Sequence, residues 1–133
     1  MPLIDLDHLN IRTHRLDLMV GWYEQILGLR RGDRPAFSMD GAWMYLGDRP
    51  FVHLVEVDHP LTPDPKTLTL EHGAFRAAGF DAFIALLNAN GEKMGISKVV
   101  GYPIVQVNIW DPDGNHLHID FDAAECGEWG QRP

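Results

Sequence analysis

Apolar residues recur along this chain in two rhythms that alternate and then repeat. Leu16, Met19, Val20, Tyr23, Ile26 and Leu27 follow the spacing of one helical face, and Gly28 stands where that helix would stop. The same spacing returns at Phe80, Phe83, Ile84 and Leu87, with Gly91 in the stopping place. A histidine-bearing strand is predicted ahead of each helix. After each helix the pattern shortens into three candidate strands: 29–31, 43–46 and 51–57, then 97–100, 104–110 and 116–121. Pro60, Pro63 and Pro65 cannot sit inside a central strand, so they mark a linker between two copies of one unit. The chain therefore reads as a single domain over 1–133, with a first module at 1–58, a linker at 59–69, a second module at 70–122 and a tail at 123–133. Asp111-Pro112-Asp113-Gly114 is a turn signal, and Gly47-Asp48-Arg49-Pro50 holds the equivalent place, so the strands flanking each turn are expected to be antiparallel neighbours.

Side chains on a strand point to opposite faces with period two, and this sorts the residues. Leu117, Ile119 and Phe121 form an apolar face suited to lie under a helix, leaving His116, His118 and Asp120 on the other. Likewise Val105, Val107 and Ile109 oppose Gln106, Asn108 and Trp110, and Ala42, Met44 and Leu46 oppose Trp43 and Tyr45. His8 shares a face with Asn10 and Arg12, and His72 with Ala74 and Arg76. The face away from the helices is polar and aromatic, which describes a ligand cup better than a core.

Histidine marks the duplication most sharply. Leu6-Asp7-His8-Leu9-Asn10-Ile11-Arg12 returns 64 residues later as Leu70-Glu71-His72-Gly73-Ala74-Phe75-Arg76, and Phe51-Val52-His53-Leu54 returns 65 residues later as His116-Leu117-His118-Ile119. Imidazole is the commonest protein metal ligand, and duplication can aim four of them at one point. His8, His53, His72 and His118 are accordingly the expected ligands of one divalent ion: iron, zinc, nickel or manganese. His14, at a helix start, His59, in the linker, and His116, at a rim, are read as non-ligands. Arg12 and Arg76 can grip carboxylate or phosphate bidentately. Trp43 and Tyr45 can stack on a planar substrate, Asn10 and Asn108 can contact it, and Gln106 can orient a bound oxygen.

Composition narrows the partners. Hydrophobic residues make up 45% of the chain and charged residues 23%, ordinary for a folded soluble protein without a membrane span. A net charge of −8 opposes nucleic acid and anionic membrane. The single cysteine, Cys126, and a start without a basic, apolar leader suggest the cytoplasm.

The element order, His8 in Leu-Asp-His-Leu-Asn-Ile, His72 in Leu-Glu-His-Gly-Ala-Phe, and Asp111-Pro112-Asp113-Gly114 before the last strand resemble the vicinal oxygen chelate superfamily of glyoxalases, fosfomycin-resistance proteins, extradiol dioxygenases and bleomycin-binding proteins. The likeness runs from Leu3 to about Phe121. It implies an α+β fold of two βαβββ modules in a half-barrel around one ion, within a homodimer, with ligands on the first and last strands of each module at His8, His53, His72 and His118. One position departs from that pattern: metal-dependent members commonly carry glutamate at the last ligand, where this chain has His118, and the nearest carboxylate on that face is Asp120.

The departure bears on the reaction. A ligated neutral imidazole does not replace the glutamate base of a glyoxalase-type proton shuttle, whereas oxygen activation with chelation of a small anionic substrate through two adjacent oxygens needs no such base. Dioxygenase-type chemistry is the first expectation. A glyoxalase-type isomerase or lyase, with Asp120 as a free base, is the second. A metal-free binding protein of the bleomycin-sequestering kind would suit the negative charge but not four retained histidines. Thiol transfer of the fosfomycin-resistance kind finds no thiol-binding signature here.

Overall fold

The computed structural model describes residues 2–133. The chain divides into two compact units, one ending at Pro63 and the other spanning Asp64–Pro133, with the division inside the proline-rich linker. The first contains β1 (Leu9–Thr13), α1 (Leu16–Gln25), β2 (Arg30–Gly32), β3 (Gly41–Leu46) and β4 (Arg49–Glu56). The second repeats the order as β5 (His72–Arg76), α2 (Phe80–Ala89), β6 (Gly95–Lys98), β7 (Ile104–Trp110) and β8 (His116–Asp122). Each unit is thus a βαβββ module, and the fold is α+β.

Both sheets have the same topology, β1-β4-β3-β2 and β5-β8-β7-β6. The first and last strands of each module run parallel, and the remaining pairs are antiparallel. In the first unit Met19, Val20 and Tyr23 of α1 are buried along with Ala42, Met44, Val52 and Leu54 of the sheet. In the second, Phe80 and Leu87 of α2 are buried together with Val105, Val107, Ile109, Leu117, Ile119 and Phe121. Phe121 meets Phe80 edge-on at 5.5 Å between ring centres and Phe83 at 5.8 Å, anchoring β8 to the helix. The period-two reading of β7 and β8 is what the structure shows. In β3 it holds through Met44 and then breaks, because a register shift between Met44 and Leu46 leaves Leu46 exposed.

Gly91 ends α2 as the spacing predicts: at φ 65° its N–H reaches the Asn88 carbonyl while Glu92 N–H reaches back to Leu87, a Schellman closure. The other end of α2 depends on the tail. No side chain of the helix's own entry caps it; Glu125 Oε1 accepts hydrogen bonds from the Gly79 and Phe80 N–H groups at 2.8 and 2.7 Å. The tail holds this position through two 3₁₀ turns, Ala123–Glu125 and Gly127–Gln131, folded so tightly that a Cβ on Gly130 would lie 1.8 Å from the Ala123 carbonyl oxygen. Glu125→Ala is expected to cost about 0.5–2 kcal/mol, the range for losing a helix cap, read as a lower urea midpoint with an unchanged slope.

Candidate metal centre

The cross-strand register of the second module builds the candidate centre. His72 on β5 pairs with His116 on β8, Ala74 pairs with His118, and Asn108 and Trp110 of β7 lie opposite His118 and His116 on the other side. All of these face away from the apolar side of β8. The result is a cluster of His72, His116 and His118, each offering a ring nitrogen within 4.8 Å of the others, which can hold a metal ion. The His72 and His118 rings stack at 3.9 Å and 12°, and His116 meets both edge-on.

The first module contains the matching pair. His8, one residue before β1, stacks on His53 of β4 at 3.8 Å and 9°, and Trp43 of β3 covers the other face of His53 at 4.1 Å and 12°. His8 and His72, and His53 and His118, thus hold equivalent places in the two units.

Ligation needs neutral imidazoles with a lone pair to give, and several observations fit that requirement. Burial, and then the neighbouring rings His72 and His116, push the His118 pKa below the ordinary imidazole value. Burial first and His8 second do the same to His53. His118 Nδ1 and His53 Nε2 are buried without hydrogen-bond partners, a costly state for a polar atom. The carboxylate before each outer histidine fixes its ring: Asp7 Oδ2 holds His8 Nδ1 at 2.7 Å, and Glu71 Oε2 holds His72 Nδ1. Nε2 of each is the nitrogen the carboxylate does not engage, an arrangement that outer carboxylates also give metal-binding histidines. Hydrogen bonds from His8 and from His72 hold the Asp7 and Glu71 carboxyls below their usual range.

The other residues expected from the sequence are distributed unevenly. Asp120 lies on the same face as His118, in register with Arg76 and Gln106, and outside the imidazole cluster; its Oδ1 is buried without a partner. Arg76 and Arg12 are exposed. Asn10 pairs in register with His53. Asn108 is engaged at both ends of its amide, Nδ2 donating to the Gly95 carbonyl at 3.1 Å and Oδ1 facing His116 Nε2 at 2.9 Å. The Tyr45 hydroxyl donates to the Asp33 carbonyl at 2.6 Å, and Arg30 lies over its ring, so Tyr45 braces the β2–β3 edge. His116, read from sequence as a rim residue, is inside the cluster. Asp7 and Glu71 were not assigned a role, although the repeat places an acid before the histidine both times.

Two four-stranded βαβββ units are the fold of solved glyoxalase/bleomycin resistance protein/dioxygenase structures. Solved structures of that group match over most of the chain. A glyoxalase/dioxygenase from Nostoc punctiforme matches with TM-score 0.78 and 24% identity over 91% of this chain and 92% of that one. A glyoxylase/bleomycin resistance protein/dioxygenase domain from Frankia sp. EAN1pec gives 0.76 and 20% over 90% and 93%. A glyoxalase family protein from Enterococcus faecalis gives 0.71 and 24% over 90% and 99%. No protein-family model and no curated protein matches the chain. The fold is therefore that of the vicinal oxygen chelate proteins, as the motifs imply. Among the described residues no helix is long and apolar enough to cross a membrane.

Proposed function

We propose that this protein is a divalent-metal-dependent enzyme that chelates a small anionic substrate through two adjacent oxygens, with dioxygenase-type chemistry. The observation that carries this reading is the His72–His118 pair, with its stacked rings and a buried, unpartnered His118 Nδ1. His72 and His118 would hold the ion, which would supply Lewis acidity to two neighbouring oxygens of a bound substrate. Glu71, engaged with His72 Nδ1, fixes the ring that would hold the ion. The exposed guanidinium of Arg76 attracts the anionic group of the substrate, and Gln106, in register with Asp120, can donate a hydrogen bond to a substrate oxygen. In the first module His8 and His53 form the equivalent imidazole pair, with Asn10 in register with His53 and Trp43 stacked on it. The exposed Leu3, Ile4 and Leu6 support a homodimer.

One observation favours a second reading. The buried Oδ1 of Asp120 has no partner, and a carboxylate free of the ion on the site face can take a proton from carbon, as glyoxalase-type isomerisation requires. The two readings separate in one experiment on metal-loaded protein, supplied in parallel with a catechol under air and with a hemithioacetal. Oxygen uptake and ring cleavage that survive Asp120→Asn support the dioxygenase; isomerisation that Asp120→Asn lowers by about 10²- to 10⁴-fold, the usual contribution of a general base, supports the isomerase. Neither activity, with tight binding of a cationic aromatic ligand by metal-free protein, would replace both with a sequestering protein.

A further inference from the structure

We infer that His116 is a positioning residue, not a third ligand: it anchors Glu71, and Glu71 in turn orients His72. This deepens the metal reading above and rests on it.

Both ring nitrogens of His116 are already committed. Nδ1 lies 2.8 Å from Glu71 Oε1, and Nε2 lies 2.9 Å from Asn108 Oδ1. The orientation of the Asn108 amide is set independently, because its Nδ2 donates to the Gly95 carbonyl, so its oxygen must face the imidazole. The His116 ring also lies parallel to Trp110 at 5.1 Å and 10°, and the ammonium of Lys93 sits over that indole at 4.5 Å. An imidazole held at both nitrogens and braced on one face would have to break a bond to reach an ion. His118 differs, since its buried Nδ1 has no partner.

Glu71 is the joint between the two roles. One carboxylate oxygen holds His72 Nδ1 and the other holds His116 Nδ1, so Gly95, Asn108, His116, Glu71 and His72 form one continuous hydrogen-bonded chain. The duplication separates what is common from what is added. Asp7, His8 and His53 in the first module match Glu71, His72 and His118 in the second, while the positions of His116 and Asn108 are occupied there by Phe51 and Trp43. The shared part is a carboxylate with two imidazoles. His116 and Asn108 are the second module's own addition, and they act on its carboxylate.

Zinc(II) affinity, measured by competition with a chelating dye, tests this in the full chain. Native protein should bind zinc, and His118→Ala should lose it; failure of that contrast overturns the metal reading and this inference together. With the contrast in place, His116→Ala should keep the native zinc stoichiometry and weaken affinity about 10- to 100-fold, the range for an outer-shell partner. His116→Asn, whose amide nitrogen falls where Nδ1 lies and can still donate to Glu71, should recover most of the loss, and adding Glu71→Gln to His116→Ala should weaken binding no further than Glu71→Gln alone. The cobalt(II) absorption spectrum should keep its native shape in His116→Ala. Loss of zinc as complete as in His118→Ala, or a changed cobalt spectrum, would make His116 a ligand and overturn the inference; unchanged affinity would also overturn it. Circular dichroism of each variant separates unfolding from loss of binding, and His116→Asn carries the test if His116→Ala fails to fold.

Discussion

Replacing His118 with alanine is expected to weaken divalent-metal binding by well over about 100-fold, beyond what losing an outer-shell partner does. His118 sits on β8 with its apolar neighbours Leu117 and Ile119 buried beneath, so the strand presents the ring at a fixed height. Its stacking partner His72 enters from β5 on the parallel side of the same strand. Burial and two neighbouring imidazoles favour the neutral ring, the form that binds metal. Alanine removes the donor and leaves one oriented imidazole, His72, with His116 held elsewhere. Since the substitution also removes a buried, unsatisfied nitrogen, metal-free His118→Ala should be about as stable as the native protein. Titration with zinc or nickel beside a urea melt of the metal-free forms checks both halves of the expectation.

The largest loss of stability is expected at Phe121, on the reverse face of the same strand. Its side chain is 1% exposed and packs against Phe80 and Phe83, so Phe121→Ala should cost about 3–5 kcal/mol, the transfer of a phenyl ring plus the cavity it leaves. Phe121→Leu should cost less, because most of the volume is retained. Metal affinity should also fall in Phe121→Ala, since β8 carries His118 and depends on α2 for its backing. Chemical denaturation with and without zinc separates the two effects: the metal-free melt reports the packing, and the zinc-dependent shift reports the site.

These expectations show where the sequence was informative. Alternation along residues 116–121 was enough to place Leu117, Ile119 and Phe121 under a helix and the histidines opposite, because a half-buried strand has to separate its faces. Equivalence of His8 with His72 and of His53 with His118 could be read from the spacing, since duplication carries both fold and side chain. The place of His116 could not, because it has no counterpart: Phe51 stands at its position, and the contact arises from the β5–β8 register, His72 opposite His116, which no local pattern states. Glu71 was hidden for a related reason, as a carboxylate's second oxygen finds its partner only once two strands are side by side. Tyr45 shows a local limit: alternation assumes a regular ladder, and the shift between Met44 and Leu46 breaks it there. The tail's role at the start of α2 joins residues 45 and 46 positions apart, beyond the reach of helix-capping rules.

X-ray absorption at the metal edge of untagged, metal-loaded protein tests the central claim, that histidines of the second module hold a divalent ion. The account predicts a nitrogen shell at about 2.0–2.1 Å with the outer-shell scattering of imidazole, and fewer imidazoles in His72→Ala. An ion surrounded by oxygen alone, or no retained metal after loading with iron, zinc and nickel, would contradict it.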